Sequence, residues 1–196
     1  MLKRVMAIAF CTVSAFAMHN AELNINDKDL EVSAKVDMGQ FNNSVEPGTI
    51  FVGGKFYNCD EKHSEYDNAD IDPFYELNFL MIKKVANGDF KVGMGAKLNF
   101  TKDFSSLPLG LQAEYKLPVR NLVPMYLDGE IYYAPSALSF SDADSFMEYR
   151  ASYDVEVIEN GRVTLGYRRI DTDYKNDHGG DFKYNSSWYV GFKVAF

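Results

Sequence analysis

Apolar and polar residues alternate along most of this chain, and a period of two puts them on opposite faces of extended strands. From Leu30, the apolar set Leu30, Val32, Ala34, Val36 and Met38 interleaves with Glu31, Ser33, Lys35 and Asp37. Phe90, Val92, Met94, Ala96, Leu98 and Phe100 repeat the rule against Lys91, Gly93, Gly95, Lys97, Asn99 and Thr101. Residues 109–117 and 147–157 follow it too. So does the last segment, where Trp188, Val190, Phe192, Val194 and Phe196 oppose Asn185, Ser187, Tyr189, Gly191, Lys193 and Ala195. Segments near 49–57, 74–85, 124–134 and 162–170 alternate less cleanly. No helical stripe competes after the first eighteen residues, so the expected fold class is all-β.

The connections sort by length. Asn87-Gly88 and Asn160-Gly161 are tight-hairpin signals, and Pro118 to Asn121 is another short turn. Between them lie longer polar stretches at 58–73, 102–108, 135–145 and 171–181. Short turns at one end and long loops at the other describe an antiparallel up-and-down barrel. The stretch Gly39 to Gly48 is longer than that scheme wants. An even strand number requires one more strand, placed at Glu22 to Asn26, for ten in all. Eight remain if the N-terminal segment lies outside the wall.

The N-terminus bears on location. Lys3 and Arg4 precede the uncharged stretch Val5 to Phe16, and Ala15-Phe16-Ala17 forms an A-x-A cleavage pattern. This predicts a secretory signal at 1–17, cleaved after Ala17, and a barrel domain at 18–196. Cys11 sits mid-way through the apolar part behind Phe10, which excludes a lipoprotein signal. Beyond residue 18 no apolar run nears the roughly 20 residues of a spanning helix. A mean hydropathy of -0.26 does not exclude a barrel, because only alternate residues of its strands meet lipid. Cleavage removes Lys3 and Arg4 and no acid, moving the net charge from -8 to -10, which argues against a nucleic-acid partner. One cysteine, Cys59, remains, so no internal disulfide is expected.

Alternation leaves open which face is inside. A soluble lipocalin-like carrier would turn the apolar set inward around a ligand. Three features favour the opposite arrangement. The polar faces mix signs, as Glu148, Arg150 and Asp154 do on one strand, which suits an interior of paired charges. Bulky aromatics such as Phe90 and Phe100 stand near the ends of apolar faces, as interfacial girdles do. The final octapeptide, Tyr189 to Phe196, resembles the C-terminal assembly signal of outer-membrane barrels, with Tyr189, Gly191, Val194 and Phe196 in the matching positions. The expectation is a transmembrane β-barrel of a Gram-negative outer membrane, monomeric and without cofactor. Its partners would be outer-membrane lipid and lipopolysaccharide, with the barrel-assembly machinery during insertion.

The segment Leu127 to Ile170 resembles the YfaZ family of small outer-membrane proteins. The residues that carry the likeness are Gly129 to Ser139, then Glu148-Tyr149 with Ala151, then Gly166-Tyr167-Arg168, and the ending Tyr189 to Phe196. The resemblance implies fold and location without supplying an activity. Arg169 stands where an aromatic is expected, at a rim position from which Arg can snorkel to headgroups.

Candidate chemistry is sparse. His63 and His178 fall in predicted loops near Asp60, Glu61, Glu65, Asp177 and Asp181, where an Asp-His couple could activate water in a small hydrolase. Solvated loop residues are the simpler reading. Ser136 and Ser139 belong to no nucleophile elbow and suit turns beside Pro135. The loop acids Asp60, Glu61, Glu65, Asp67, Asp70 and Asp72 could weakly hold a divalent cation, but their spacing matches no EF-type loop. Inward Tyr126, Tyr132, Tyr189, Arg150 and Arg168 would obstruct so narrow a bore, leaving a structural, surface-interaction or narrow-pore role.

Overall fold

The computed structural model describes residues 20–59, 73–85, 88–102, 104–119, 123–141, 143–175 and 181–195. Twelve strands are present among them: β1 (Asn20–Ile25), β2 (Leu30–Asp37), β3 (Ile50–Asn58), β4 (Phe74–Val85), β5 (Phe90–Phe100), β6 (Phe104–Ser106), β7 (Leu109–Lys116), β8 (Met125–Ala134), β9 (Ser139–Ser141), β10 (Ala143–Ile158), β11 (Gly161–Tyr174) and β12 (Asp181–Ala195). Ten of these pair antiparallel, each with the next, and β1 closes on β12. The ring is the expected ten-stranded meander, and the short first strand lies within two residues of its predicted place.

Closure fixes the geometry of the ring. The pairing that starts at Val85 passes through Phe90, Tyr115, Leu127, Tyr153, Leu165, Val190, Ile25 and Leu30 to Asn58. Because Tyr57 pairs with Phe74, Asn58 lies opposite position 73, so one circuit returns to β4 twelve residues from its start. A stagger of that size tilts the strands by roughly 40° to the barrel axis.

Two predicted loops hold short strands instead. β6 continues the line of β7 beyond Leu107 and Pro108, and β9 follows a single 3-10 turn at Ser136–Leu138. They pair with each other and raise the wall at that end. Two other predicted loop margins are strand as well, since β10 begins at Ala143 and β11 runs on to Tyr174. β6 and β9 are three residues each, too short to show a period. At the opposite end the long Gly39 to Gly48 connection is pinned by Asp37, which accepts from the backbone N–H of Gly39 and of Gly48. Asn160 supplies the left-handed residue of the β10–β11 hairpin, with φ 59°.

The faces settle which way the barrel is turned. Val32, Leu77, Met94, Leu111, Ile131, Leu165 and Val190 point outward and are exposed, while the intervening charged residues are buried inside. A lipocalin-like arrangement needs the reverse.

Candidate functional site in the bore

The bore has three storeys. At the end bearing the long loops, Tyr57, Phe74, Phe104, Phe146, Ile170 and Tyr184 fill the lumen with an apolar core. Phe74 and Phe146 stack with centroids 6.2 Å apart, and Phe104 meets Tyr174 and Tyr184 edge-on. Cys59, just past the end of β3, packs against this core, and burial pushes its thiol up to about 11.

Below the core lies a network of ion pairs. Glu148 is fully buried and takes one lysine on each oxygen, Lys55 at 2.9 Å and Lys97 at 2.7 Å. Lys55 also reaches Glu76 at 2.7 Å, and Lys97 reaches Glu130 at 3.4 Å. Arg150 bridges Glu31, Glu22 and Glu130, at 2.6, 3.1 and 3.4 Å. Arg168 meets the other oxygen of Glu31 at 2.6 Å. Its guanidinium lies 3.9 Å from the centroid of Tyr57, as Lys97 lies 4.0 Å from that of Tyr132. The sequence places every one of these groups on an inward strand position, and the stagger of the ring brings them level. Removing ions from water costs several kcal/mol each, and such burial is sustained only when partners surround each ion.

Glycine makes the room for this layer. A Cβ at Gly166 would run into the ring of Tyr189, and one at Gly191 would run into the Asn24 amide. Asn24 in turn donates to Glu22 and Glu31, both at 2.7 Å. Asp29, in the β1–β2 turn, accepts from Tyr57, Asn185 and Ser187 at 3.1–3.2 Å. These contacts tie the β1–β2 hairpin to β3 and β12.

The third storey is an open vestibule. A cavity of about 660 Å³ extends from the ion-pair layer to the short-turn end, where Gly48, Lys84, Lys116 and Asn160 border it. Its lining carries seven lysines and two arginines against five glutamates and two aspartates, so an acidic protein encloses a slightly basic chamber. Arg162 sits 3.5 Å over the Tyr126 ring and pairs with Glu114 at 2.8 Å, and Lys91 reaches the same carboxylate at 2.6 Å. Lys35 faces the chamber without an ion pair among the described residues.

Of the residues expected to obstruct the bore, Tyr132, Tyr189 and Arg168 are almost wholly buried in it, and Arg150 and Tyr126 join them. Tyr189, Gly191 and Val194 lie on β12 beside β1. Ala15, Ala17, Asp60, Glu61, His63, Glu65, Asp67, Asp70, Asp72, Asp177, His178 and Phe196 lie outside the described residues. Among the described residues no group of three His, Cys, Asp or Glu side chains is placed to hold a metal ion. Glu22, Asp29, Glu31, Lys55, Glu76 and Glu130 escaped sequence analysis as members of one layer. Inward parity was the available signal for all of them except Asp29, which lies in a turn, but partners as distant as Lys55 and Glu148, 93 positions apart, meet only across the closed ring.

Fold and bore together define a closed ten-stranded antiparallel barrel with a polar, ion-paired interior and an apolar exterior. A model of the YfaZ precursor family matches residues 6–196, nearly the whole chain, and the protein belongs to that family. The match takes in the N-terminal half as well as the motifs between Leu127 and Ile170. Comparison with curated protein sequences gave no significant match. Among solved structures, a "KdgM porin in complex with disordered oligogalacturonate" is similar at a TM-score of 0.44 and 7% identity, covering 91% of this chain and 99% of that one. The barrel assignment rests on this chain's own strand pairings.

Proposed function

We propose that this protein is a non-enzymatic outer-membrane barrel, exported by the leader at 1–17, with a bore shut on the long-loop side and open as a polar vestibule on the short-turn side. The observation that carries the reading is the inverted wall, with charges within and a continuous apolar surface without. A soluble monomer rarely exposes an apolar patch of more than a few hundred Å², and an apolar belt around a closed ring is what acyl chains cover. In this placement the long loops face the cell exterior and the short turns face the periplasm. Outer-membrane lipid and lipopolysaccharide are then the standing partners, met as a monomer after delivery by the barrel-assembly machinery.

The aromatic core and the ion-pair layer leave no wide path through the described part of the bore. This favours an envelope or surface-interaction role over general diffusion. Planar-bilayer recording of the refolded protein tests it, and the expected result is no steady conductance, whereas stable channels would make the protein a pore. Heat-modifiable gel migration tests the membrane placement. Recovery as a water-soluble monomer would defeat that placement. Screening lipid and peptide substrates, with His63→Ala and His178→Ala controls, tests the hydrolase alternative, and turnover lost in either variant would establish it.

A further inference from the structure

The outer surface of β10, β11 and β12 carries a feature that a merely apolar wall does not need. Along β11 the outward positions read Val163, Leu165, Tyr167, Arg169 and Asp171, passing from aliphatic through aromatic to charged. At the aromatic level Tyr149, Tyr167 and Trp188 form a ladder across the three strands, with ring centroids 6.2 and 5.5 Å apart. Trp188 is 66% exposed. Arg169 stands directly above, opposite Tyr149 on one side and Ser186 on the other.

The chemistry of Arg169 is specific. Its Nε donates to both oxygens of Asp171, at 3.0 and 2.7 Å, and the Tyr149 hydroxyl is close by. That grip orients the guanidinium and leaves the two terminal amino groups of a 42% exposed side chain available for a ligand. A guanidinium fork matches the geometry of a phosphate, to which it donates parallel N–H bonds. Asp171 lies opposite Lys183 in register. Aliphatic and aromatic surface below, with a cationic fork above, is complementary to a molecule with acyl chains and a phosphate headgroup.

We infer that this face binds a membrane lipid with an anionic phosphomonoester headgroup, with Arg169 holding the phosphate and the Tyr149–Tyr167–Trp188 ladder seating the chains. The inference rests on the membrane placement proposed above. Trp188 is the single tryptophan of the sequence, so its emission reports on this face alone. The test reconstitutes the full barrel in phosphatidylcholine vesicles containing a minor fraction of brominated phosphatidic acid or, in parallel, of brominated phosphatidylcholine. Brominated phosphatidic acid is expected to quench Trp188 with roughly fivefold preference, the scale of one basic residue at a lipid surface. In Arg169→Gln the preference disappears while quenching by brominated phosphatidylcholine remains, and Arg169→Lys retains part of the preference. Equal quenching by the two lipids, or a preference unchanged in Arg169→Gln, overturns the inference alone. Loss of the preference on adding inorganic phosphate assigns the fork to a soluble anion and also overturns it. Absence of quenching by either lipid would overturn the membrane placement itself.

Discussion

The long-loop end of the bore and its middle are stabilised by opposite means. At the long-loop end Phe74, Phe104, Phe146 and Tyr184 exclude water and interlock by shape, so deleting atoms leaves a void. In the middle and toward the short turns, Glu148, Lys55, Lys97 and Arg150 fill the same cross-section with charge, and stability depends on each ion keeping its partners. The contrast teaches that a narrow barrel has two ways to fill its lumen, and that each fails differently. A dry plug tolerates loss of a group in proportion to its volume. An ion-pair layer responds to loss of a partner in proportion to the charge left behind.

Substitutions that separate these modes rank by size. Glu148→Ala removes the carboxylate shared by Lys55 and Lys97 and should cost about 4 kcal/mol, read by denaturant unfolding of the refolded protein. Phe146→Ala, which empties the middle of the aromatic core, should cost about 3 kcal/mol on the same assay. A cost for Glu148→Ala no larger than that of a solvent-exposed pair would show the layer to be hydrated rather than buried. Gly191→Ala drives a methyl into the Asn24 amide and should cost about 2 kcal/mol, with Asn24→Ala in the same chain restoring part of it. Lys35→Met, at the edge of the vestibule, should shift stability by less than about 1 kcal/mol because no ion pair is lost.

Cys59 offers a probe of the dry end without perturbing it. With its thiol raised from 9.0 to about 11, almost no thiolate exists at neutral pH in the folded protein, and thiol reagents should label it only on unfolding. The sign of the linkage follows: between pH 9 and 11 the unfolded thiol ionises first, so stability falls as pH rises through that window. Rapid labelling of the folded barrel at pH 7 would show the aromatic end to be open.

Most strands were legible because their outward faces are apolar at every second position, as from Leu30 to Met38 and from Phe90 to Phe100. The turn at Asn160-Gly161 was legible from its Asn-Gly dipeptide, and the short strand near Glu22 from the even count that a closed barrel demands. β6 and β9 were not, because Phe104 and Ser139 lie in three-residue pieces too short to show a period. The ion-pair layer was half legible. Inward charges such as Lys97, Glu148 and Arg150 could be assigned to a face, whereas their partners depend on a twelve-residue stagger that no local pattern encodes.

Nine of the ten wall pairings join consecutive wall strands, two of them across the short β6 and β9, and the remaining one joins Asn20–Ile25 to β12. During assembly, therefore, almost the entire wall can be laid down as successive hairpins while two raw margins stay unsatisfied. The strand Asp181–Ala195 is the one that shuts them. A chain truncated before Val190 would keep both margins bare, and it would be prone to stick to its own kind rather than to persist as a shorter cylinder.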